Sequence, residues 1–216
     1  MNSFMKIFAR PIITALAILI FLAPSAMSQE FGIKGGLSYS DQSYKYDLSS
    51  FNSDRLKQTG ITAGAFFSYD IWLLSGLRFE FNYVQKGSSI EILQTEEFGP
   101  AILGKIKIVD RLDYLSLNIL LTPGLYDNST LAPYLVLGPR ADILLNTSSE
   151  IPSLVFDNLS PIIFGATAGL GISLALSNST SLLIEGVYNY DFSFAYDKEI
   201  LTIKNNAVLV TTGLTF

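Results

Sequence analysis

From Lys204 to Phe216 the chain alternates without a break. Val208, Val210, Thr212, Leu214 and Phe216 fall on one face, and Ala207, Leu209, Thr211, Gly213 and Thr215 on the other. A period of two is the signature of a β-strand whose faces meet different surroundings. The stretch carries no charge after Lys204 and reaches an aromatic residue, Phe216. An apolar strand edge in water invites aggregation. Closing the sheet into a barrel removes the edge, and lipid accepts the apolar face.

Seven more stretches repeat this pattern. The first runs from Phe31 to Ser40, with Lys34 opposite an apolar face. The second covers Thr59 to Ile71. The third covers Gly76 to Ser88, where Leu77, Phe79, Phe81 and Tyr83 oppose Arg78, Glu80, Asn82 and Lys86. The fourth spans about Ile106 to Leu121, the fifth Leu131 to Leu145, the sixth Pro161 to Leu176 and the seventh Ser181 to Phe194. Between them, Asp41–Gln58, Ser89–Lys105, Asn146–Ser160 and Ala195–Ile203 read as long loops. Trp72–Ser75, Thr122–Thr130 and Ser177–Thr180 read as short turns. The pattern predicts an all-β fold, an eight-stranded antiparallel up-and-down transmembrane β-barrel over residues 29–216. Long and short connections alternate, as in outer-membrane barrels, which places both termini in the periplasm. A soluble eight-stranded barrel would keep its apolar face inside. Here the face with Arg78, Glu80, Arg140 and Glu185 cannot meet lipid.

Residues 1–28 read as a secretory signal peptide. Lys6 and Arg10 precede the apolar run Pro11–Leu22, and Ala26-Met27-Ser28 supplies small residues at a cleavage site before Gln29. Twelve apolar residues are too few to span a bilayer, which needs about 20. Removing the two cations takes the net charge from −5 to −7.

Composition agrees. Charged residues make up 15%, against about 25% in soluble domains, and the mean hydropathy is +0.38. With no cysteine, disulfides and thiol chemistry are excluded. With no histidine, Ser-His-Asp chemistry and histidine metal sites are excluded. Nothing in the sequence points to a cofactor. An acidic chain without basic runs is no nucleic-acid binder.

Lys34, Arg78, Glu80, Asn118, Arg140, Asp142 and Glu185 all point into the barrel on this alternation. Counting from the strand ends puts Lys34, Arg78, Glu80, Asn118 and Glu185 at similar depth. Side chains fill an eight-stranded barrel, and buried charges must pair. The expectation is an internal salt-bridge network. Two other readings stand beside it: a narrow porin passing ions or small solutes, and a barrel-embedded enzyme using Glu80 and Glu185, for which no nucleophile or ligand set is evident. Phe31, Trp72 and Phe216 fall near one membrane interface and Tyr39, Tyr83, Phe164 and Tyr190 near the other, as two aromatic girdles.

The loops mix Tyr44, Tyr46, Phe51 and Arg55 with Asp47, Asp54, Glu96, Glu97, Asp157 and Asp197. They are candidates for a protein partner, or for lipopolysaccharide held through divalent cations. No loop has calcium-loop spacing.

The stretches FGIKGGLSYS (Phe31–Ser40), FEFNYVQKG (Phe79–Gly87), YLSLNILLTPG (Tyr114–Gly124), PYLVLGPRADILL (Pro133–Leu145) and the terminal GLTF resemble the porin-like outer-membrane β-barrel domain family of Bacteroidota type. Asn118 stands near where similar proteins often carry a proline. The resemblance implies an integral outer-membrane barrel and no catalytic residues. The terminal aromatic Phe216 resembles the signal read by the outer-membrane insertion machinery, and the barrel is expected to be a monomer in outer-membrane lipid.

Overall fold

The computed structural model describes residues 29–46, 56–71, 74–95, 102–125, 130–149, 159–198 and 201–216. Residues 1–28, expected to be a signal peptide, and Trp72 lie outside these residues. The strands are β1 (Gln29–Tyr46), β2 (Leu56–Ile71), β3 (Leu74–Thr95), β4 (Ile102–Leu121), β5 (Leu131–Ser149), β6 (Ile162–Ala175), β7 (Ser181–Asp191), β8 (Tyr196–Lys198) and β9 (Leu201–Thr215). Every pairing is antiparallel. Consecutive strands pair from β1 to β7, β7 pairs β9, and β9 returns to β1. Eight strands therefore close a barrel, while the three-residue β8 lies against the start of β9.

Hydrogen-bonded partners can be followed around the wall from Gln29 through Tyr69, Leu77, Leu121, Leu137, Ala168, Tyr188 and Val208. The path re-enters β1 at Tyr39, ten positions beyond Gln29. For eight strands this stagger sets a steep tilt, at the upper end of the ~35–45° common in barrels. The interior is then wide enough to hold layers of side chains and little else.

Alternation sorts the residues as the two environments require. Ile33, Leu37, Ile61, Phe164, Leu170, Ile184 and Val210 stand exposed on the outer wall. The inward face carries glycines, small polar residues and charges, with two apolar clusters. Gly32 pairs with Phe66 and Gly171 with Tyr134. In each pair the ring fills the space a glycine side chain would have taken, which lets an aromatic residue lie flat against the lumen wall.

The strand bounds correct the sequence reading at the end away from the termini. Each expected long loop is in part strand, most of all Ser89–Lys105. β1 continues to Tyr46, β3 to Thr95 and β5 to Ser149, while β4 begins at Ile102 and β9 at Leu201. β7 instead stops at Asp191, short of Phe194. A membrane crossing takes about 9–11 residues per strand, and β3 has 22. The surplus forms hairpins beyond the bilayer, where backbone pairing continues but both faces leave lipid. Tyr44 and Tyr46 sit on β1 and Asp197 on β8. The other loop candidates, Asp47, Phe51, Asp54, Arg55, Glu96, Glu97 and Asp157, lie outside the described residues.

Candidate functional site: the charged lumen

Strands running away from the terminal end supply every member of two charged rings. The first ring joins Lys34 on β1, Arg78 and Glu80 on β3, and Glu185 on β7. Lys34 Nζ lies 2.7 Å from Glu80 Oε1 and 2.9 Å from Glu185 Oε2. Arg78 Nη1 lies 3.4 Å from the same Glu80 oxygen and also bonds Glu185 Oε1. Each cation thus holds both carboxylates, and the ring is neutral.

Further donors complete it. Asn82 Nδ2 and Asn118 Nδ2 donate to Glu80 Oε2 at 2.9 and 3.2 Å. Tyr134 Oη donates to Glu185 Oε1 at 2.8 Å. The Arg78 guanidinium is sandwiched between two rings, 4.7 Å from the Phe66 centroid and 5.3 Å from that of Tyr134, within cation–π range. These are the aromatics seated on Gly32 and Gly171.

The second ring lies six residues further along β3 and β7. Lys86 Nζ reaches Asp142 Oδ2 at 2.7 Å and Asp191 Oδ1 at 3.3 Å. Arg140 bonds both of the same carboxylates. Again one lysine, one arginine and two acids close a neutral ring. The Tyr114 ring lies 5.3 Å from Lys86 Nζ, and its hydroxyl accepts from Asn205 Nδ2 at 3.2 Å. An apolar cap of Leu112, Ile163, Ala195 and Ile203 is packed beyond it, with Leu144, Leu159 and Tyr196 against its edge. The cap is tied down by Ser160 N donating to Ala195 O, and Ala195 N to Ile203 O, both at 2.8 Å.

Beside the first ring, Thr62, Asn82, Thr167, Asn189 and Thr211 line a cavity of about 10 Å³, together with Lys34, Glu80 and Asn118 of that ring and the apolar Leu120, Val136, Val187 and Leu209. That is about the room one water needs. Thr167 Oγ1 donates to Asn189 Oδ1 at 2.8 Å.

All seven lumen residues named from the sequence point inward. Lys34, Arg78, Glu80, Asn118 and Glu185 meet at one depth. Arg140 and Asp142 join the other ring instead. Two of that ring's members, Lys86 and Asp191, were absent from the sequence-derived set, although their inward parity on β3 and β7 was legible. What strand parity cannot show is which inward charges share a level, because the stagger shifts each strand against the next. Of the interface aromatics, Phe31 and Phe216 exchange backbone hydrogen bonds at the barrel seam and face outward. Phe31 packs on Phe67 at 5.2 Å. Tyr190 is exposed on the wall nearer the hairpins. Tyr83 is half-buried, its hydroxyl accepting from Gln85 Nε2 at 2.9 Å.

Each carboxylate is shared between two cations. Among the described residues, no cluster of acids is placed to hold a metal ion.

Comparison with known proteins adds the following. The family model described as the outer membrane protein beta-barrel domain matches residues 26–195. No characterised protein sequence matches the chain. Similar solved structures include the outer membrane protein OprG from Pseudomonas aeruginosa, at 14% identity, covering 88% of this chain and 97% of that one with a TM-score of 0.49. Neisserial surface protein A is similar at 15% identity, 86% and 95% coverage and a TM-score of 0.44. The outer membrane protease OmpT from Escherichia coli is similar at 9% identity, 90% and 99% coverage and a TM-score of 0.47. With its family match, its closed barrel and its apolar outer wall, the chain belongs to the outer membrane protein beta-barrel domain family and is an integral protein of the bacterial outer membrane.

Proposed function

We propose that this protein is a sealed outer-membrane barrel whose role is structural or interaction-based, exercised through the hairpins at the end away from the termini. The reading rests on the two closed, neutral charge rings. Each fills the lumen cross-section with paired side chains, and the cap of Leu112, Ile163, Ala195 and Ile203 covers the second. A transported ion would have to displace partners from both rings. The longer connections lie opposite the termini, which favours periplasmic termini and surface-exposed hairpins. Residues 1–28 serve export, and the outward Phe216 at the seam serves recognition by the insertion machinery. No catalytic role is assigned, since both carboxylates of the first ring are committed to Lys34 and Arg78.

Planar-bilayer recording tests this directly. The purified protein should insert without conductance above that of the bare membrane. One observation favours a second reading, a narrow porin: a cavity with room for about one water adjoins Lys34 and Glu80 of the first ring. Stable unitary currents from the unmodified protein would select that reading and reject the sealed barrel.

A further inference from the structure

We propose that the outer wall of β7, β9, β1 and β2 carries a binding site for the phosphate of an anionic membrane lipid, with Lys57 and Lys204 as its cations.

The two lysines stand at one level on contiguous strands. Lys204 on β9 lies opposite Ser43 of β1. Ser40 of β1 lies opposite Gln58, so Lys57 of β2 sits one step further on, beside Asp41. Two strand spacings across and two positions along the strand separate their backbones, about 12 Å, which two extended lysine side chains can close on one phosphate. Lys204 faces outward, since the neighbouring Ile203 and Asn205 are buried in the lumen; Lys57, next to a register shift in the β2–β3 ladder, is exposed with its ammonium over the outward Tyr39 ring.

Each lysine rests on the aromatic belt. Lys57 Nζ lies 5.4 Å from the Tyr39 ring centroid. Lys204 Nζ lies 5.6 Å from that of Tyr190 and 4.9 Å from that of Phe194. Tyr39 and Tyr190 are exposed on the outer wall just below them. Amphipathic rings of this kind mark the boundary between acyl chains and headgroups. An outward side chain one step beyond that boundary meets headgroups, where lysine binds phosphate as a point charge.

The charge is available. Among the described residues, neither ammonium has a carboxylate within 4 Å. Among the described residues, Asp41, exposed on β1 between them, leaves the patch with one net positive charge. The site depends on the membrane belt and not on which way the termini point or whether the lumen conducts.

The test uses native mass spectrometry of the purified protein in a neutral detergent, titrated with phosphatidylglycerol, with phosphatidylcholine, or with inorganic phosphate. Wild type should retain phosphatidylglycerol in preference to phosphatidylcholine. Each lysine near an anionic surface contributes about fivefold in affinity, so the Lys57→Gln/Lys204→Gln variant should lose roughly 25-fold. Asp41→Asn should tighten binding. Lys107→Gln, an exposed lysine on β4, should leave it unchanged. Heat-modifiable gel migration of each variant confirms that the barrel is intact. Equal retention of the two lipids by wild type overturns the proposal, as does an unchanged preference in the double variant. Displacement of phosphatidylglycerol by millimolar inorganic phosphate would assign the site to free anions and overturn the lipid.

Discussion

Lys86 and Glu185 show what a buried charge needs in a barrel of this width. Lys86 is 1% exposed and Glu185 2%, yet each has two oppositely charged partners. Removing one member leaves the others overcharged in a low-dielectric lumen, which costs about 3–5 kcal/mol for a buried pair. Glu185→Ala should therefore lower stability by that amount, read as a shift of the urea midpoint in lipid vesicles. Arg140→Ala should do the same in the second ring. Adding Lys34→Met to Glu185→Ala leaves Arg78 and Glu80 as a neutral pair and should return a large part of the loss. Additive effects in that double variant would show that the ring does not act as a unit. The inward side of these residues was readable from strand parity alone. Their division into two rings was not, because it depends on the ten-residue stagger around the barrel and on side chains bending along its axis. Arg140, whose own strand position lies between the rings, reaches toward Asp142 and Asp191 rather than toward Glu80.

At the scale of the strand, legibility tracks the membrane. Leu77 to Tyr83 on β3 alternates cleanly because one side meets lipid and the other meets the lumen. Beyond Ser88 the strand continues to Thr95, paired to β4 through Ile90–Ile108 and Glu91–Lys107, but no longer has lipid on one side. The period weakens although the backbone ladder does not, so the stretch read as a loop. Glycines divide by the same criterion. Gly36 faces inward on β1, and a Cβ there would stand 2.0 Å from the Val210 carbonyl oxygen. Gly186 faces outward on β7, and a Cβ there would meet nothing within 4 Å. Gly36→Ala should force the β1–β9 seam apart and lower the urea midpoint. Gly186→Ala should be neutral or slightly stabilising, since it reduces the freedom of the unfolded chain. The same midpoint for both variants would mean that the seam yields more easily than its register suggests.

Closure is a property of the whole molecule and changes the meaning of every edge in it. β9 alone is an apolar strand with an unpaired side. In the barrel its residues Leu201–Thr215 pair with β1 and part of them also with Ser181–Asn189 of β7, and among the described residues no long strand is left open. Backbone groups inside the bilayer have no water to turn to, so opening the seam exposes many donors and acceptors at once. The barrier to unfolding is cooperative for that reason, and the two rings add to it by tying β1, β3, β5 and β7 across the lumen. Detergent that coats the outer wall replaces lipid there without attacking the ladder. The folded barrel should thus survive sodium dodecyl sulfate at room temperature and run as a compact species, and should shift to the mobility of an extended chain only after boiling. Within that assay the ring variants should convert at lower temperature than wild type, with the Lys34→Met/Glu185→Ala pair intermediate. Identical migration of boiled and unboiled wild type would contradict a closed barrel. Conversion of the ring variants at the wild-type temperature would show that the ladder alone, and not the charge rings, sets the barrier.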